Sequence, residues 1–342
     1  MDPKGINRML KILCIVQEAV PATEISIIRP FSFLKNQQKI SWHLVREADF
    51  QPDLLNQVDI VVFHRNCHHS NRARIDLVKA AKIPIIYEMD DNYFELPEDL
   101  PIGRYMRNPY IVQTIEYFLR SANIVKIGSP ELSRVISKYN HNIVYHPYAV
   151  DLSILDNIET RKNSYLTIGY AGTYYHIPDF EFVTEPIRRI AEEFPQVHWE
   201  FIGCLPDDIK DLFEHSFTPF ITNYAAFLQH LSWRNWQIGL CPILDLPHNR
   251  CKTDNKLREY GACRITGIYS NIPPYSTNVQ HAETGLLAEN NEQSWFNAIK
   301  TLICNDSLRN KIANQARKWV EEQRSLPIIA ELWMELFKHV LQ

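Results

Sequence analysis

A run of charged residues lies at 252–259, within the segment CKTDNKLREYGACRITGIYS that spans 251–270. Thr253 or Asp254 is suited to cap a helix of about ten residues, and Lys252 and Lys256 place positive charge at its start. A helix start of this kind attracts phosphate, and Glu259 offers two acceptor oxygens to a ribose diol. These residues predict a nucleotide site. The alternative is a salt bridge between Lys256 and Glu259 on a solvated helix face.

The other side chains of this helix decide which way the charged ones point. Leu257, Tyr260 and Gly261 are expected to face a sheet, so that Lys256 and Glu259 share the face that turns toward a ligand. The segment IPPYSTNVQ, which follows the next apolar run, adds N–H and hydroxyl donors near the same predicted site. The further donor-side residues are Asn255, Tyr275, Ser276 and Thr277.

A second candidate loop follows the apolar run YLTIGYAG at 165–172. Gly172 permits close backbone approach, Thr173 is a capping hydroxyl, and His176 stands where a helix is expected to begin, with Asp179 in its first turn. Backbone N–H groups, a small residue and a histidine at a helix start predict contacts to diphosphate oxygens. A structural role for His176 remains the alternative.

Chemistry-bearing residues in the first half of the chain are more ambiguous. The run IIYEM delivers Glu88, Asp90 and Asp91, whose carboxylates are suited to take a proton or to bind sugar hydroxyls, and equally to cap the next element. Arg29 follows the first apolar run, close to the possible helix caps Thr23 and Ser26, and is expected on the acceptor side. Its alternative is a solvated arginine.

The histidines and cysteine of HRNCHHSNRAR resemble metal ligands at first sight, but their spacing fits no common zinc pattern and no second cluster completes the set. No metal site is predicted there. The histidines and the cysteine of this segment are His64, Cys67, His68 and His69.

The loop that follows the first apolar run, LKILCIV, contains neither GxGxxG nor GxxxxGK[ST], which argues against a dehydrogenase and a simple kinase.

Short apolar runs alternate with amphipathic stretches along the whole chain, which predicts parallel α/β sheets covered by helices on both faces. A polar stretch at 149–164 predicts a linker. We therefore expect an α/β protein with two Rossmann-like domains facing across a cleft, one at 1–150 and one at 151–325. A C-terminal helix at 326–342 is expected to cross back to the first domain, in a packing role rather than on a membrane.

Composition limits the classes of function. The 342 residues carry a net charge of −4, so no global basic field indicates a nucleic-acid partner. Seven scattered cysteines without a CxxC pair are typical of a reducing compartment. No signal peptide or long apolar segment is evident. We expect a cytoplasmic protein, with peripheral contact at the inner membrane face left open.

Several segments together resemble a known family. IGYAGTYYHIPDF, VHWEFIG, IGLCPILDLPHNRCKTDNKLREYGA, GIYSNIPPYSTNV and TGLL resemble the donor domain of GT-B glycosyltransferases of the retaining, family 4-like group. IIYEMDDNYFELPEDLP resembles the acceptor domain of one bacterial branch of it. The resemblance therefore implies an acceptor-binding domain at 1–150 and a nucleotide-sugar donor domain at 151–325. The resemblance implies transfer of a sugar from a nucleotide diphosphate sugar, as co-substrate, to a hydroxyl of a glycan, glycolipid or small molecule, as in polysaccharide biosynthesis. It further implies retention and no essential metal or other cofactor.

The resemblance also assigns roles to single residues. Glu259 matches the second glutamate of the family's E-x7-E element, which is associated with the ribose, while Cys251 stands at the first. Lys256 matches a basic residue near the diphosphate, and Gly172 and His176 match the phosphate loop. His176 and Lys256 are thus the predicted catalytic residues. The alternatives are another GT-B nucleotide-sugar enzyme, such as an epimerase or a phosphorylase, and a non-catalytic GT-B subunit.

Overall fold

The computed structural model describes residues 8–162 and 164–342, so one position of the predicted linker, Asn163, lies outside the described residues. Two six-stranded sheets form the frame, and every strand pair in them is parallel. The predicted α/β class is confirmed. Parallel strands that are covered on both faces explain why most of these segments are continuously apolar rather than alternating.

The first sheet has the strand order β2-β1-β3-β4-β5-β6. Its central strands are buried apart from Lys11 of β1, and the sheet edge at their carboxyl ends collects the loops in which ligands of such folds gather. Its strands are β1 (Leu10–Val16), β2 (Ile40–Arg46), β3 (Ile60–His64), β4 (Ile85–Met89), β5 (Ile124–Ile127) and β6 (Ile143–Tyr145).

The second sheet has the order β12-β11-β10-β7-β8-β9, so its first strand in the chain lies in the middle and the order reverses there. Such a reversal opens a crevice at the carboxyl ends of the strands on either side of it. The strands are β7 (Thr167–Ala171), β8 (His198–Ile202), β9 (His215–Thr218), β10 (Ile238–Cys241), β11 (Thr266–Ser270) and β12 (Leu286–Ala288).

Helices connect the strands and cover the sheets. In the first half of the chain they are Pro21–Thr23, Arg29–Asn36, Asn71–Ala80, Pro101–Met106, Pro109–Ser121 and Leu132–Ile136, with a π-helical stretch at Glu24–Ile28 and 3₁₀ turns at Glu47–Asp49 and Pro52–Gln57. The second half contains Thr184–Glu193, Asp207–Lys210, Tyr224–Arg234, Pro247–Arg250, Asn255–Ala262, Tyr275–Asn278, Glu292–Cys304, Asp306–Gln323 and Leu326–Val340, with 3₁₀ turns at Leu152–Leu155 and Tyr174–Phe180.

Of the apolar runs that predict strands in the second half of the chain, PFITNY is wrong, and two strands, β9 and β12, escaped prediction. PFITNY, at 219–224, is not a strand, because Asn223 caps the helix that begins at Tyr224 and its side chain accepts a hydrogen bond from the Ala226 N–H at 2.8 Å. The strand at this edge of the sheet is instead β9, the segment HSFT that precedes PFITNY. Its apolar and polar residues alternate only weakly, because it is an edge strand that borders only β8. β12 has three residues, too few for a periodic signal.

Two compact units make up the chain, and their boundary is not a single point. The first unit ends at Ala149 but also contains Cys251–Thr253 and Leu326–Gln342; the second comprises Val150–Arg250 and Asp254–Ser325. The prediction placed 251–253 in the second domain, and the structure differs there. Cys251 is buried in the apolar core of the first unit, which is the physical reason.

The last helix, Leu326–Val340, completes the core of the first unit. Trp333 is fully buried, packs edge-to-face on Phe31 at 5.0 Å, and donates its indole N–H to the Ser26 carbonyl oxygen at 3.0 Å. This confirms the expectation that the helix packs in a core. In the described ranges, the helices all fall short of the length and apolarity needed to cross a membrane.

A buried ion pair holds the second unit at the points where the chain enters and leaves it. Arg324 donates to the Asp254 carboxylate at 2.9 and 3.2 Å, and both side chains are less than one-tenth exposed. The carbonyl oxygen of Arg324 accepts the Val150 N–H at 2.8 Å. Its guanidinium also lies over the Trp319 ring, 4.5 Å from the centroid. Three separate stretches of chain therefore meet at one residue, Arg324, through its side chain and its backbone carbonyl.

We expect Arg324→Met to destabilise the protein by about 3–5 kcal/mol, because the Asp254 carboxylate then stays buried without its partner. Urea unfolding followed by tryptophan fluorescence measures this change. Lys300→Met, which breaks the exposed pair with Glu193, is the matched control and should cost about 1 kcal/mol or less. Equal effects of the two substitutions would contradict a special role for the buried pair.

Candidate functional site

The charged helix, residues Asn255–Ala262, begins at the second unit's re-entry point. Asp254 occupies its N-cap position, but its side chain makes no capping hydrogen bond, because the carboxylate pairs with Arg324 instead. Of the two predicted caps, Asp254 is therefore wrong in its chemistry, and the helix has eight residues rather than ten. The Asn255 side-chain oxygen accepts a hydrogen bond from Arg258 at 2.7 Å, which tightens this first turn.

Two apolar side chains fix the rotation of the charged helix. Leu257 and Tyr260 are fully buried, and the Tyr260 hydroxyl donates to the Leu240 carbonyl oxygen on β10 at 2.9 Å. Gly261 was expected to face the sheet as well, and this is wrong. A side chain added there would meet Val320 at 2.8 Å, so the glycine allows close packing of the helix Asp306–Gln323 instead.

Glu259 is the one carboxylate of the charged helix, and it lies in an unusual environment. It is only 9% exposed, and its nearest cation is Arg258, at 4.0 Å. Among the described residues, none donates a hydrogen bond to this carboxylate. Burial raises its pKa, against the opposing effects of Arg258 and Lys256, while Asp254 adds to the rise. The site thus holds a largely buried carboxylate whose oxygens are available to accept hydrogen bonds from a ligand.

Lys256 lies one turn before Glu259 and extends over the carboxyl ends of the central strands. Its ammonium is 5.4 Å from the centroid of the Tyr170 ring on β7. It also lowers the pKa of the thiols of Cys204 and Cys241, although burial dominates and leaves both at about 11. These thiols follow β8 and end β10, so the positive charge acts at the point where the strand order reverses.

Gly172 opens the predicted phosphate loop directly after β7. Its N–H donates to the Ile202 carbonyl oxygen at 3.0 Å, and a side chain at this position would lie 2.4 Å from the Tyr170 hydroxyl. That hydroxyl is buried and has no hydrogen-bond partner in the described part of the chain. Only glycine fits here, and the space it leaves borders an unsatisfied donor near Lys256.

The loop continues as a 3₁₀ turn, Tyr174–Phe180, and not as the expected α-helix start. Thr173 has the extended backbone of an N-cap, yet its hydroxyl makes no capping bond, and Pro178 within the turn prevents a regular helix. The predicted capping role of Thr173 is therefore wrong. The argument that phosphate binds an α-helix N-terminus does not apply to this loop.

His176 is held by a buried aspartate. Its Nδ1 lies 2.7 Å from Oδ2 of Asp179, whose other oxygen accepts the Leu244 N–H at 2.7 Å and lies 3.4 Å from the side-chain nitrogen of Asn249. Asp179 thus joins the loop after β7 to the loop after β10 and orients the imidazole. Leu244 and Asn249 carried no recognisable sequence signal, because neither their types nor their spacing is diagnostic.

Three predicted hydroxyl donors follow β11, and the structure gives two of them other partners. Tyr275 is buried, stacks on Tyr269 at 5.0 Å, and shares a hydrogen bond with the Cys241 thiol. Thr277 donates to the Pro274 carbonyl oxygen at 2.8 Å. Ser276 is half-buried, and its N–H is used within the turn. Tyr275 is therefore a core residue by its surroundings, which a sequence pattern alone could not reveal.

Lys252 was predicted on the donor side, but it belongs to the first unit. Burial raises the pKa of Asp91, and Lys252 is the strongest influence that lowers it. The neighbouring Asp90 accepts hydrogen bonds from Arg65 at 2.8 Å and from the Tyr93 hydroxyl at 2.7 Å. Of the two predicted acceptor-side aspartates, Asp90 is thus already paired with Arg65, whereas the cation that acts most strongly on Asp91 is Lys252.

Glu88 does not reach the loop edge. It is fully buried in β4, where it contacts His64 of β3, Lys126 of β5 at 3.1 Å and the Tyr148 hydroxyl. Burial alone would raise its pKa, but Lys126, His64 and Tyr148 together lower it. His64, once a possible metal ligand, is therefore part of a buried charge row. Across the described residues, no cluster of His, Cys, Asp and Glu is arranged to hold a metal.

Arg29, the remaining acceptor-side prediction, pairs with Glu24 at 2.6 Å. Of the two possible caps beside it, Thr23 is buried and accepts the Val20 N–H at 3.2 Å, and Ser26 is buried in the π-helical stretch. The structural interpretation of this loop accounts for these contacts without a ligand.

Two six-stranded parallel sheets with covering helices define the GT-B fold. A scan of protein-family models and a search of curated proteins find no match. Solved structures do match. HepE from Anabaena in complex with UDP and glucose aligns at a TM-score of 0.69 with 14% identity, over 96% of this chain and 100% of that chain.

Two further solved structures are similar over nearly the full length. Sucrose-phosphate synthase from Thermosynechococcus elongatus aligns at a TM-score of 0.68 with 11% identity, over 97% of this chain and 99% of that chain. A putative UDP-N-acetylglucosamine 2-epimerase from Listeria monocytogenes aligns at 0.60 with 9% identity, over 95% of each chain. At these identities the likeness shows the fold.

Because the pKa of Glu259 is raised, replacing this carboxylate with an amide is expected to stabilise the protein at neutral pH. The folded state holds the Glu259 proton more tightly than the unfolded chain does, so the wild type loses stability as pH rises from the ordinary value of 4.5 through the raised folded-state pKa. Glu259→Gln lacks this titration. Its melting temperature should exceed that of the wild type at neutral pH, and the two should converge in acid. Differential scanning calorimetry across pH measures both.

The matched control is Glu181→Gln, at an exposed position of the same unit, which should leave the melting temperature nearly unchanged throughout. A lower melting temperature for Glu259→Gln at neutral pH would show that the carboxylate stabilises the fold, and would remove the basis for a ligand role.

Proposed function

We propose that the protein is a glycosyltransferase that moves a sugar from a nucleotide diphosphate sugar to an acceptor hydroxyl. The observation that carries the proposal is Glu259, a buried carboxylate without a hydrogen-bond donor among the described residues, one turn from Lys256 at the carboxyl ends of the second sheet. A ribose diol donates two hydrogen bonds and would satisfy it. The GT-B fold, seen with bound UDP in HepE, supports the same reading.

The leaving group explains the charges nearby. When the bond between sugar and diphosphate breaks, negative charge grows on the phosphate oxygens, and a fixed cation there stabilises the transition state more than the ground state. Lys256 supplies such a charge. His176, oriented by Asp179, supplies a hydrogen-bond donor from the loop after β7. Gly172 and the Tyr170 hydroxyl leave room and a donor beside them.

The finer parts of the proposal rest on the sequence resemblance. They are retention of configuration, independence of metal, and an acceptor that is a glycan or a glycolipid. Retention by front-face attack needs no enzymatic nucleophile, since the leaving phosphate itself helps to deprotonate the acceptor. Asp91 and Lys252, at the carboxyl end of β4, are the candidates for the acceptor side.

Incubation with a panel of UDP-, GDP-, ADP- and dTDP-sugars, with and without EDTA, tests the proposal. Transfer, or slow hydrolysis to water, should release one nucleoside diphosphate in either condition, and NMR of the fresh product should show a retained anomer. Return of an epimerised nucleotide sugar would assign the other enzyme class. Absence of turnover and of nucleotide binding throughout would refute the proposal.

Loss of the Glu259 charge should weaken binding of the free nucleotide. Losing a hydrogen bond to a charged group costs about 1.5–3 kcal/mol. In Glu259→Gln this loss should raise the Kd of the released nucleoside diphosphate roughly 10- to 150-fold. Isothermal titration calorimetry measures it, with Glu181→Gln as the control. An unchanged Kd in the folded variant would place the ribose elsewhere.

Lys256→Met keeps the aliphatic stem and removes the charge. We expect kcat to fall on the order of 10²- to 10³-fold, with a smaller change in donor KM, because the charge acts chiefly in the transition state. Lys210→Met, an exposed lysine of the same unit, is the matched control and should leave both constants unchanged. Wild-type kcat in Lys256→Met would exclude this residue from catalysis.

A further inference from the structure

A cavity of about 380 Å³ lies in the second unit, between the helix Asp306–Gln323 and the turn at 280–284. Its volume falls within the range of roughly 300–1,000 Å³ that is usual for small-molecule sites. The helix contributes residues at spacings of three and four, which form one face. These residues are Gln315, Lys318, Trp319, Glu322 and Gln323. No residue assigned above to the sugar-transfer site lines this cavity.

The opposite wall is rigid without a ligand. The Gln280 N–H donates to the Thr284 hydroxyl at 2.9 Å, and the Thr284 N–H donates back to the Gln280 carbonyl oxygen at 2.9 Å. A bridge between His281 and Gly285 closes the same turn, in which Ala282 has a φ of 60°. A wall that is already ordered loses little conformational entropy when a ligand binds.

The side chains that line the cavity combine one aromatic ring with several amides. Trp319 is half-buried and packs against an apolar cluster of the unit. In the part of the chain that the structure describes, the side-chain amides of Gln280, Gln315 and Gln323 have no hydrogen bond to another protein group. Amides both donate and accept, as sugar hydroxyls do, and the part of the Trp319 indole that Arg324 and the apolar cluster leave exposed can contact the C–H groups of a sugar ring.

The charge of the cavity narrows the ligand further. Glu283 and Glu322 face a single cation, Lys318, whose ammonium lies 3.8 Å from Glu322. The net negative charge repels phosphates, so a nucleoside diphosphate is disfavoured here. The same carboxylates accept hydrogen bonds from hydroxyl groups.

We propose that this cavity binds a neutral saccharide unit, at a second site separate from the sugar-transfer site. The inference goes beyond the proposed function, because it requires binding alone and no turnover. An enzyme that extends a glycan would hold part of its acceptor or product chain there, away from the reacting atoms. It is tested without nucleotide, so its failure and that of the proposed function are distinguishable.

Fluorine NMR of the fluorotryptophan-labelled full chain is the test. The Trp319 signal is assigned by its absence in Trp319→Phe. Titration with maltose, cellobiose and diacetylchitobiose should shift this signal saturably for at least one of them, with a millimolar Kd. The signal of Trp233, an exposed tryptophan of the same unit outside the cavity, should stay in place and excludes non-specific binding.

The variant Gln315→Ala/Gln323→Ala changes only exposed positions and should retain the fold. Loss of two hydrogen bonds should weaken saccharide binding by about tenfold or more. Glu259→Gln should bind the same saccharide as the wild type does. The proposal is overturned if no disaccharide shifts the Trp319 signal, if the double variant binds equally well, or if UDP shifts Trp319 and competes with the saccharide.

Discussion

The architecture of the second unit depends on the buried pair between Arg324 and Asp254. The chain enters this unit at Val150, re-enters it at Asp254, and leaves it just after Arg324, and the arginine binds both of the other two points. Because Asp254 directly precedes the charged helix, the same contact fixes where that helix begins. The carboxylate that a helix of this sequence would use as a cap is instead bound by the arginine, so the helix begins without a side-chain cap bond from Asp254.

Buried carboxylates in this protein fall into two kinds, and the difference separates structure from function. Glu88 contacts a lysine, a histidine and a tyrosine, and Glu200 is bound by Arg234 at 2.5 Å and by the Trp236 indole at 2.6 Å. Each is satisfied by its own chain. Glu259 is less deeply buried, at 9% exposed, and has only a cation at 4.0 Å. Its carboxylate oxygens are therefore available to accept hydrogen bonds from a ligand, whereas those of Glu88 and Glu200 are already used by the protein.

The features that could be predicted from the sequence are those that depend on residues close together in the chain. Alternating apolar and amphipathic runs are local, so the α/β class and most strands could be predicted from the sequence. The partners of Asp254 and of Tyr275 are distant in the chain, and no local pattern distinguishes a cap from an ion pair or a donor from a core residue. Gly261 shows the same limit, because its neighbour is Val320, a residue of another helix. Lys252 belongs to the first unit because the chain returns to that unit at Cys251–Thr253.

The position of the last helix affects the order in which the two units can fold during synthesis. The first unit needs Trp333, and the residues around it, to cover the apolar face formed by Phe31 and its neighbours. During synthesis this face stays uncovered until the helix Leu326–Val340 has left the ribosome, whereas the second unit is complete once Ser325 has emerged. The half that is translated first is therefore finished last, which reverses the usual N-to-C order of domain folding.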